Sequence, residues 1–200
     1  MLCQGILFPG GGTDMNIYTI GHSTHSEGDF LQMLRDVEIE AIADVRAFPG
    51  SRKHPQFGKD VFPEWLEAAG VEYKHFPLLG GRRGESECVG HSLNDGWRNE
   101  SFHRYADYTL TDDFKAGIDE LKVYARDRRI AYLCSERHPA RCHRLLISNF
   151  LVAKGWTVCH IIDGNKGKTE VVSHELGKWG AMPILEDDGE IVYPVLEDEE

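Results

Sequence analysis

Residues 130–155 read IAYLCSERHPARCHRLLISNFLVAKG. The first five, Ile130 to Cys134, form an unbroken apolar run of the length of a strand buried on both faces. Pro139 suits a first helical position, where its missing N–H leaves nothing unsatisfied. Leu146, Ile147, Phe150 and Leu151 then recur on one helical face, and Gly155 closes the pattern. A second apolar run, Thr157 to Ile162, follows. Strand, helix and strand in that order predict a parallel βαβ unit, because parallel neighbours need a crossover and a helix supplies it.

The alternation extends upstream. Ile17–Ile20, Ala41–Val45 and Val71–Phe76 are further strand candidates. Ser26 followed by Asp29 resembles a capping box, opening a helix with Phe30, Met33, Leu34 and Val37 on one face. Val61, Trp65, Leu66 and Ala69 make a shorter stripe closed by Gly70, and Phe114, Ile118, Leu121 and Ala125 mark the helix before Ile130. The expectation is one three-layer α/β domain over residues 16–163, with a mostly parallel sheet flanked by helices. Residues 1–15, Gly-rich and without period, read as a tail. Residues 164–200 read as a C-terminal extension: Ile184-Leu185, Asp188-Gly189 and Ile191-Val192 predict a hairpin with a type I′ turn, before an acidic end at Glu197–Glu200. Leu79 to Asn99 is rich in Gly and charge and has no period. A loop of that length inside a compact domain is usually functional or disordered.

Two hundred residues with 41% hydrophobic composition suit one domain that builds its core without metal or disulfide staples. No stretch approaches the roughly 20 apolar residues of a membrane span. Leu2 to Phe8 lacks a basic flank, so no secretory signal is expected and the cytoplasm is the expected compartment. Five cysteines at irregular spacing fit free thiols better than a disulfide framework. A formal charge of −11 argues against a protein that coats nucleic acid or anionic membrane. Its arginines are nevertheless clustered. Nine of 13 fall in four windows: Arg46 and Arg52, Arg82 and Arg83, Arg98 and Arg104, and Arg137, Arg141 and Arg144. An acidic chain with such windows suggests a local anion site.

In open parallel sheets, ligands bind beyond the carboxyl ends of the strands. Here those ends carry Gly21-His22-Ser23, Asp44-Val45-Arg46, Leu79-Gly80-Gly81-Arg82-Arg83, and Cys134-Ser135-Glu136 running on to Arg141-Cys142-His143-Arg144. Together with Thr19, Ile20, Pro49, Ser51, Arg52, Trp97, Phe102, Tyr105 and Ala106, these segments resemble the domain-of-unknown-function 488 family over roughly Ile17 to Ile162. Ser135 stands where the family pattern leads us to expect alanine. The resemblance brings no settled reaction with it.

Read residue by residue, Asp44 and Arg46 suit either a structural clamp or a guanidinium fork presented to a ligand. Ser23, Arg52, Gly81, Arg82, Arg141 and Arg144 join them as candidate substrate contacts. Gly81 would expose backbone N–H groups, and Arg141 and Arg144 would flank an anion near a helix N-terminus. His22 and Glu136 are the candidates for proton transfer, although a structural histidine and an arginine partner are equally consistent with them. Cys134 and Cys142 are the thiol candidates. Cys134 to Arg141 is spaced C-x6-R, one residue longer than a cysteine-phosphatase cradle, and Cys142 lies four residues before Leu146, a spacing that suits a core thiol. As metal ligands, Cys134, Cys142 and His143 match no compact zinc spacing and would need a distant fourth group such as His22, so no metal is expected. No organic cofactor is signalled either.

These readings point to a hydrolase or transferase-like enzyme acting on a phosphate-bearing substrate, a nucleotide or nucleic-acid fragment, with no membrane partner. A non-catalytic nucleotide or nucleic-acid binding module, and a cysteine-dependent redox or metal protein, remain as alternatives.

Overall fold

The computed structural model describes residues 15–50, 53–86, 89–90, 92–164 and 167–196. The expected tail at 1–15, apart from Met15, the candidate Arg52 and the acidic Glu197–Glu200 lie outside them. Five strands run parallel: β1 Asn16–Gly21, β2 Ala41–Asp44, β3 Glu72–His75, β4 Ile130–Cys134 and β5 Thr157–Asp163. A sixth, β6 Thr169–Ser173, pairs antiparallel with β5, so the sheet order is β3-β2-β4-β1-β5-β6. The sheet thus takes one more strand beyond residue 163. The hairpin of β7 Ile184–Leu185 and β8 Ile191–Val192 stands apart from it.

Helices α1 Glu27–Asp36 and α2 Phe62–Ala68 cover one face. Helices α3 Glu100–Thr109, α4 Asp112–Ala125 and α5 Arg144–Ala153 cover the other. The central strands β2 and β4 are buried on both faces, which is why they read as continuous apolar runs, whereas the edge strands β3 and β6 are only partly covered. Along β4, Ile130 and Tyr132 join the core under α3–α5, while Ala131 and Leu133 join the core under α1 and α2.

Ser26 caps α1 by accepting the Asp29 N–H at 3.1 Å, and Gly70 and Gly155 follow α2 and α5 with φ of +78° and +85°. Three expectations are corrected. Pro139 opens a single 3-10 turn, Pro139–Arg141, and α5 begins only at Arg144, leaving Cys142 in extended backbone outside the helical stripe. Val61 is exposed, and Phe62 with Leu66 forms the buried face of α2. In the hairpin only Gly189 has positive φ, and its N–H bonds the Glu186 carbonyl at 2.9 Å. Asp188 instead accepts the Glu190 N–H, the pattern of a bulged turn rather than type I′.

From β1 to β3 the chain travels towards one sheet edge through α1 and α2. It then returns to β4 and β5 through α3, α4 and α5 on the opposite face. The connections therefore diverge around β4, between β1 and β2, and open a crevice at their carboxyl ends.

Candidate functional site

A cleft of about 1240 Å³ occupies that crevice. It is lined by His22 to Thr24 after β1, Arg46 to Phe48 and Lys53-His54 after β2, and Gly81-Arg82 after β3. Cys134 to Arg137 and Arg141 to His143 after β4 complete it, with Phe102 and Tyr105 from α3 as one wall. The sequence motifs therefore do converge. His22 and Ser23 N–H groups bond the Cys134 and Ser135 carbonyls at 3.0 Å each, extending the β1–β4 ladder into the site. Ser23 holds φ +46°, a left-handed conformation costly for a residue with a side chain.

Arg46 is built into the wall. Its Nε donates to both Asp44 oxygens at 2.9 and 3.0 Å, one terminal nitrogen to Asp44 at 2.5 Å and the other to the Phe57 carbonyl at 2.8 Å. Tyr73 donates to the same carboxylate at 2.7 Å. Burial opposes the guanidinium charge, but Asp44 outweighs it and Arg46 stays charged.

His22 stacks on Phe57 at 4.3 Å, and its Nδ1–H bonds the Ser23 carbonyl at 3.0 Å, which leaves Nε2 facing Arg46 at 3.4 Å. Burial first, and then the Arg46 charge, pull its pKa down to about 4, so the ring is neutral at pH 7.

Arg144 lies 1% exposed and points inward, donating to the Thr19 hydroxyl at 2.7 Å and the Glu136 carbonyl at 2.6 Å. Arg141 is exposed on the cleft rim, so the two do not flank one anion. A buried guanidinium needs fixed acceptors, and Arg144 finds them in β1 and in the loop after β4. The Arg82 guanidinium lies over the exposed Phe48 ring at 5.7 Å. Neighbouring Arg83 turns away to the Tyr108 ring and the carbonyls of Leu78 and Gly80. Glu136 touches Arg144 through its backbone, and its carboxylate makes no ion pair among the described residues.

At the floor, His143 Nε2–H bonds the Val45 carbonyl at 2.9 Å. That fixes the tautomer and leaves Nδ1 free, 3.5 Å from Cys142 Sγ and 3.9 Å from Cys134 Sγ. Gly81 is required beneath this ring, because a Cβ there would lie 2.3 Å from Nδ1. Burial raises the Cys142 pKa, but the Cys134 hydrogen bond and the Arg144 charge outweigh it and hold Cys142 low. Donating its S–H to Cys142, and then burial, push Cys134 up. The pair therefore favours one thiolate, on Cys142.

Thr19, named from the sequence only as part of the family resemblance, anchors Arg144, and two residues not singled out also shape the site: Tyr73 as an anchor of the Arg46 clamp and Phe48 as an exposed ring. Strand register could have flagged Tyr73, since β3 pairs directly with the strand that ends in Asp44. No local pattern marks Phe48.

No curated protein and no solved structure matches the chain. The family model described as "Domain of unknown function DUF488" matches residues 28–151, more than half of the chain and most of the segments that build the cleft, and the chain belongs to that family.

Proposed function

We propose that the cleft binds a phosphate-bearing substrate, a nucleotide or nucleic-acid fragment, and that the protein is an enzyme hydrolysing or transferring at that phosphate. The observation that carries this reading is the charge of the lining. Lys53, Arg82 and Arg141, which no carboxylate pairs among the described residues, line the cleft beside Arg46 and Arg137, which are paired with Asp44 and Asp163, and the lining itself holds a single carboxylate, Glu136, in a chain whose net charge is −11. A concentration of one sign against the overall field attracts and holds an anion. Arg82, Arg141 and Lys53 are exposed and free to reach a ligand, while Arg46 and Arg144 act as fixed charges behind them. Glu136 is the proton acceptor best placed to work, being the carboxylate among the described lining residues. His22, neutral and turned to Arg46, sets that guanidinium's position and offers a weaker base. Phe48, 70% exposed beside Arg82, gives a nucleobase a face to stack on.

Arg82→Ala and Arg141→Ala should each weaken binding of pyrophosphate and of a short single-stranded oligonucleotide by about tenfold, about 1.4 kcal/mol, in titration calorimetry. Oligonucleotide affinity should fall with salt, less steeply in each variant. Binding that neither substitution alters would sink the anion reading. The same ligands bound and left chemically unchanged, with Glu136→Gln behaving like the parent, would identify a binding module instead of an enzyme.

A further inference from the structure

We infer that Cys134, Cys142 and His143 form a binding site for one divalent zinc-type cation, with a fourth coordination position open to the cleft. The three ligand atoms lie within 4.8 Å of one another. A tetrahedral zinc ion with Zn–S of about 2.3 Å and Zn–N of about 2.0–2.1 Å separates its ligands by roughly 3.5–3.8 Å. The imidazole Nδ1 stands 3.5 and 3.9 Å from the two sulfurs, close to that spacing without any ion to draw them in.

The surroundings match what a metal-bound imidazole needs. Its other nitrogen is committed to the Val45 carbonyl at 2.9 Å, which orients the ring and points the Nδ1 lone pair at the thiols. Gly81 keeps the space under the ring clear of a side chain. Cys142 and His143 follow the 3-10 turn at Pro139–Arg141, and Cys134 ends β4, so three rigid points of the chain hold the ligands. Two sulfurs and one imidazole also balance the charge. The ion is bound by the deprotonated sulfurs, and two thiolates neutralise a dication in a place where Arg144 already supplies one buried positive charge.

All three residues line the cleft, and among the described residues they supply three ligands rather than four. Structural zinc sites are closed by four protein ligands, whereas three leave a position for water or substrate. His22 does not close the set, since its Nε2 faces Arg46 and its Nδ1 faces the Ser23 carbonyl. The metal site stands on its own geometry and does not depend on the anion reading. If both hold, a phosphate oxygen is the natural fourth ligand.

The test uses full-length protein, stripped with chelator and reduced. Titration with Zn2+ against a competing chelator should give one equivalent bound. Cobalt(II) loaded in its place should show the intense visible bands of a tetrahedral ion and the near-ultraviolet thiolate-to-metal absorption. Cys134→Ser, Cys142→Ser and His143→Ala should each lower zinc affinity at least 100-fold, while Cys159→Ser, a buried cysteine on β5, should leave it unchanged. At about pH 8, where imidazole is mostly uncharged and indifferent to cationic side chains, adding it should shift the cobalt bands by taking the open position. Absence of stoichiometric binding, or a cobalt spectrum without thiolate absorption, overturns the site, and neither reading requires a variant to fold. Cobalt bands that imidazole leaves unmoved overturn the open position. Loss of phosphate binding in Arg82→Ala alongside a normal cobalt spectrum would keep the two proposals distinct.

Discussion

Arg46 and Arg144 are nearly equal in burial yet differ in what neutralises them. Arg46 has the Asp44 carboxylate, whereas among the described residues Arg144 has a hydroxyl and a carbonyl besides the Cys142 thiol whose ionisation it favours. Asp44→Asn should therefore strand a buried guanidinium and cost about 3–5 kcal/mol in urea unfolding. A midpoint within experimental error of the parent would mean that the clamp carries no stability. Glycines sort the same way by environment. At Gly21 a Cβ would meet the Glu136 carbonyl oxygen at 1.9 Å, whereas at Gly70 nothing lies within 4 Å and only φ +78° opposes a side chain. Gly21→Ala should cost about 3 kcal/mol or more and Gly70→Ala about 1–2 kcal/mol. The reverse order in thermal unfolding would contradict the close approach of β1 to the loop after β4. Gly70 was legible from its place after an apolar stripe. Gly21 and Gly81 were visible only as motif glycines, because the atoms that exclude a side chain there come from residues 136 and 143.

Among the elements, α1 was the most readable, since its cap and its stripe lie within a dozen consecutive residues. Ser26→Ala removes the acceptor for the Asp29 N–H and should cost about 1 kcal/mol in unfolding free energy. No change would mean that Asp29 and water satisfy the helix start unaided. The start of α5 was misread for a physical reason. Proline at a first position suits a 3-10 turn as well as an α-helix, and the sequence between Pro139 and Arg144 contains nothing that separates them. The displacement matters for the site. Outside the helix, Cys142 is free to face Cys134 and His143 instead of the core stripe.

Across the molecule, one buried chain of hydrogen bonds ties the C-terminal segment to the domain. His160 on β5 donates to His174 at 2.9 Å, His174 donates to Asn149 on α5 at 2.8 Å, and Asn149 donates to the Tyr193 hydroxyl at 3.2 Å. Tyr193 in turn bonds the Asn94 side chain through its N–H at 3.0 Å, which anchors the segment before α3. Burial pulls the pKa of His160 down to about 2 and those of His174 and His22 to about 4. Between pH 6.5 and 4 the unfolded chain therefore binds more protons than the folded one. The stability these rings provide is complete above pH 6.5 and is lost as the pH falls. Urea midpoints should drop steadily from pH 7 to pH 4.5, and His174→Gln should flatten the profile by about one proton, about 1.4 kcal/mol per pH unit. A variant profile as steep as the parent's would show that His174 does not titrate on unfolding.

The alternation of apolar runs and helical stripes was enough to specify an α/β domain with parallel strands and to place the motifs at strand ends, because periodicity and connection length are local properties of the chain. What each motif residue does there was settled by neighbours distant in sequence. Asp44 and Phe57 commit Arg46, Thr19 and the Glu136 carbonyl commit Arg144, and Val45 turns His143 towards two cysteines eight positions apart. Charge and thiol chemistry depend on burial and on partners a few ångströms away, and those distances exist only once the strands lie side by side.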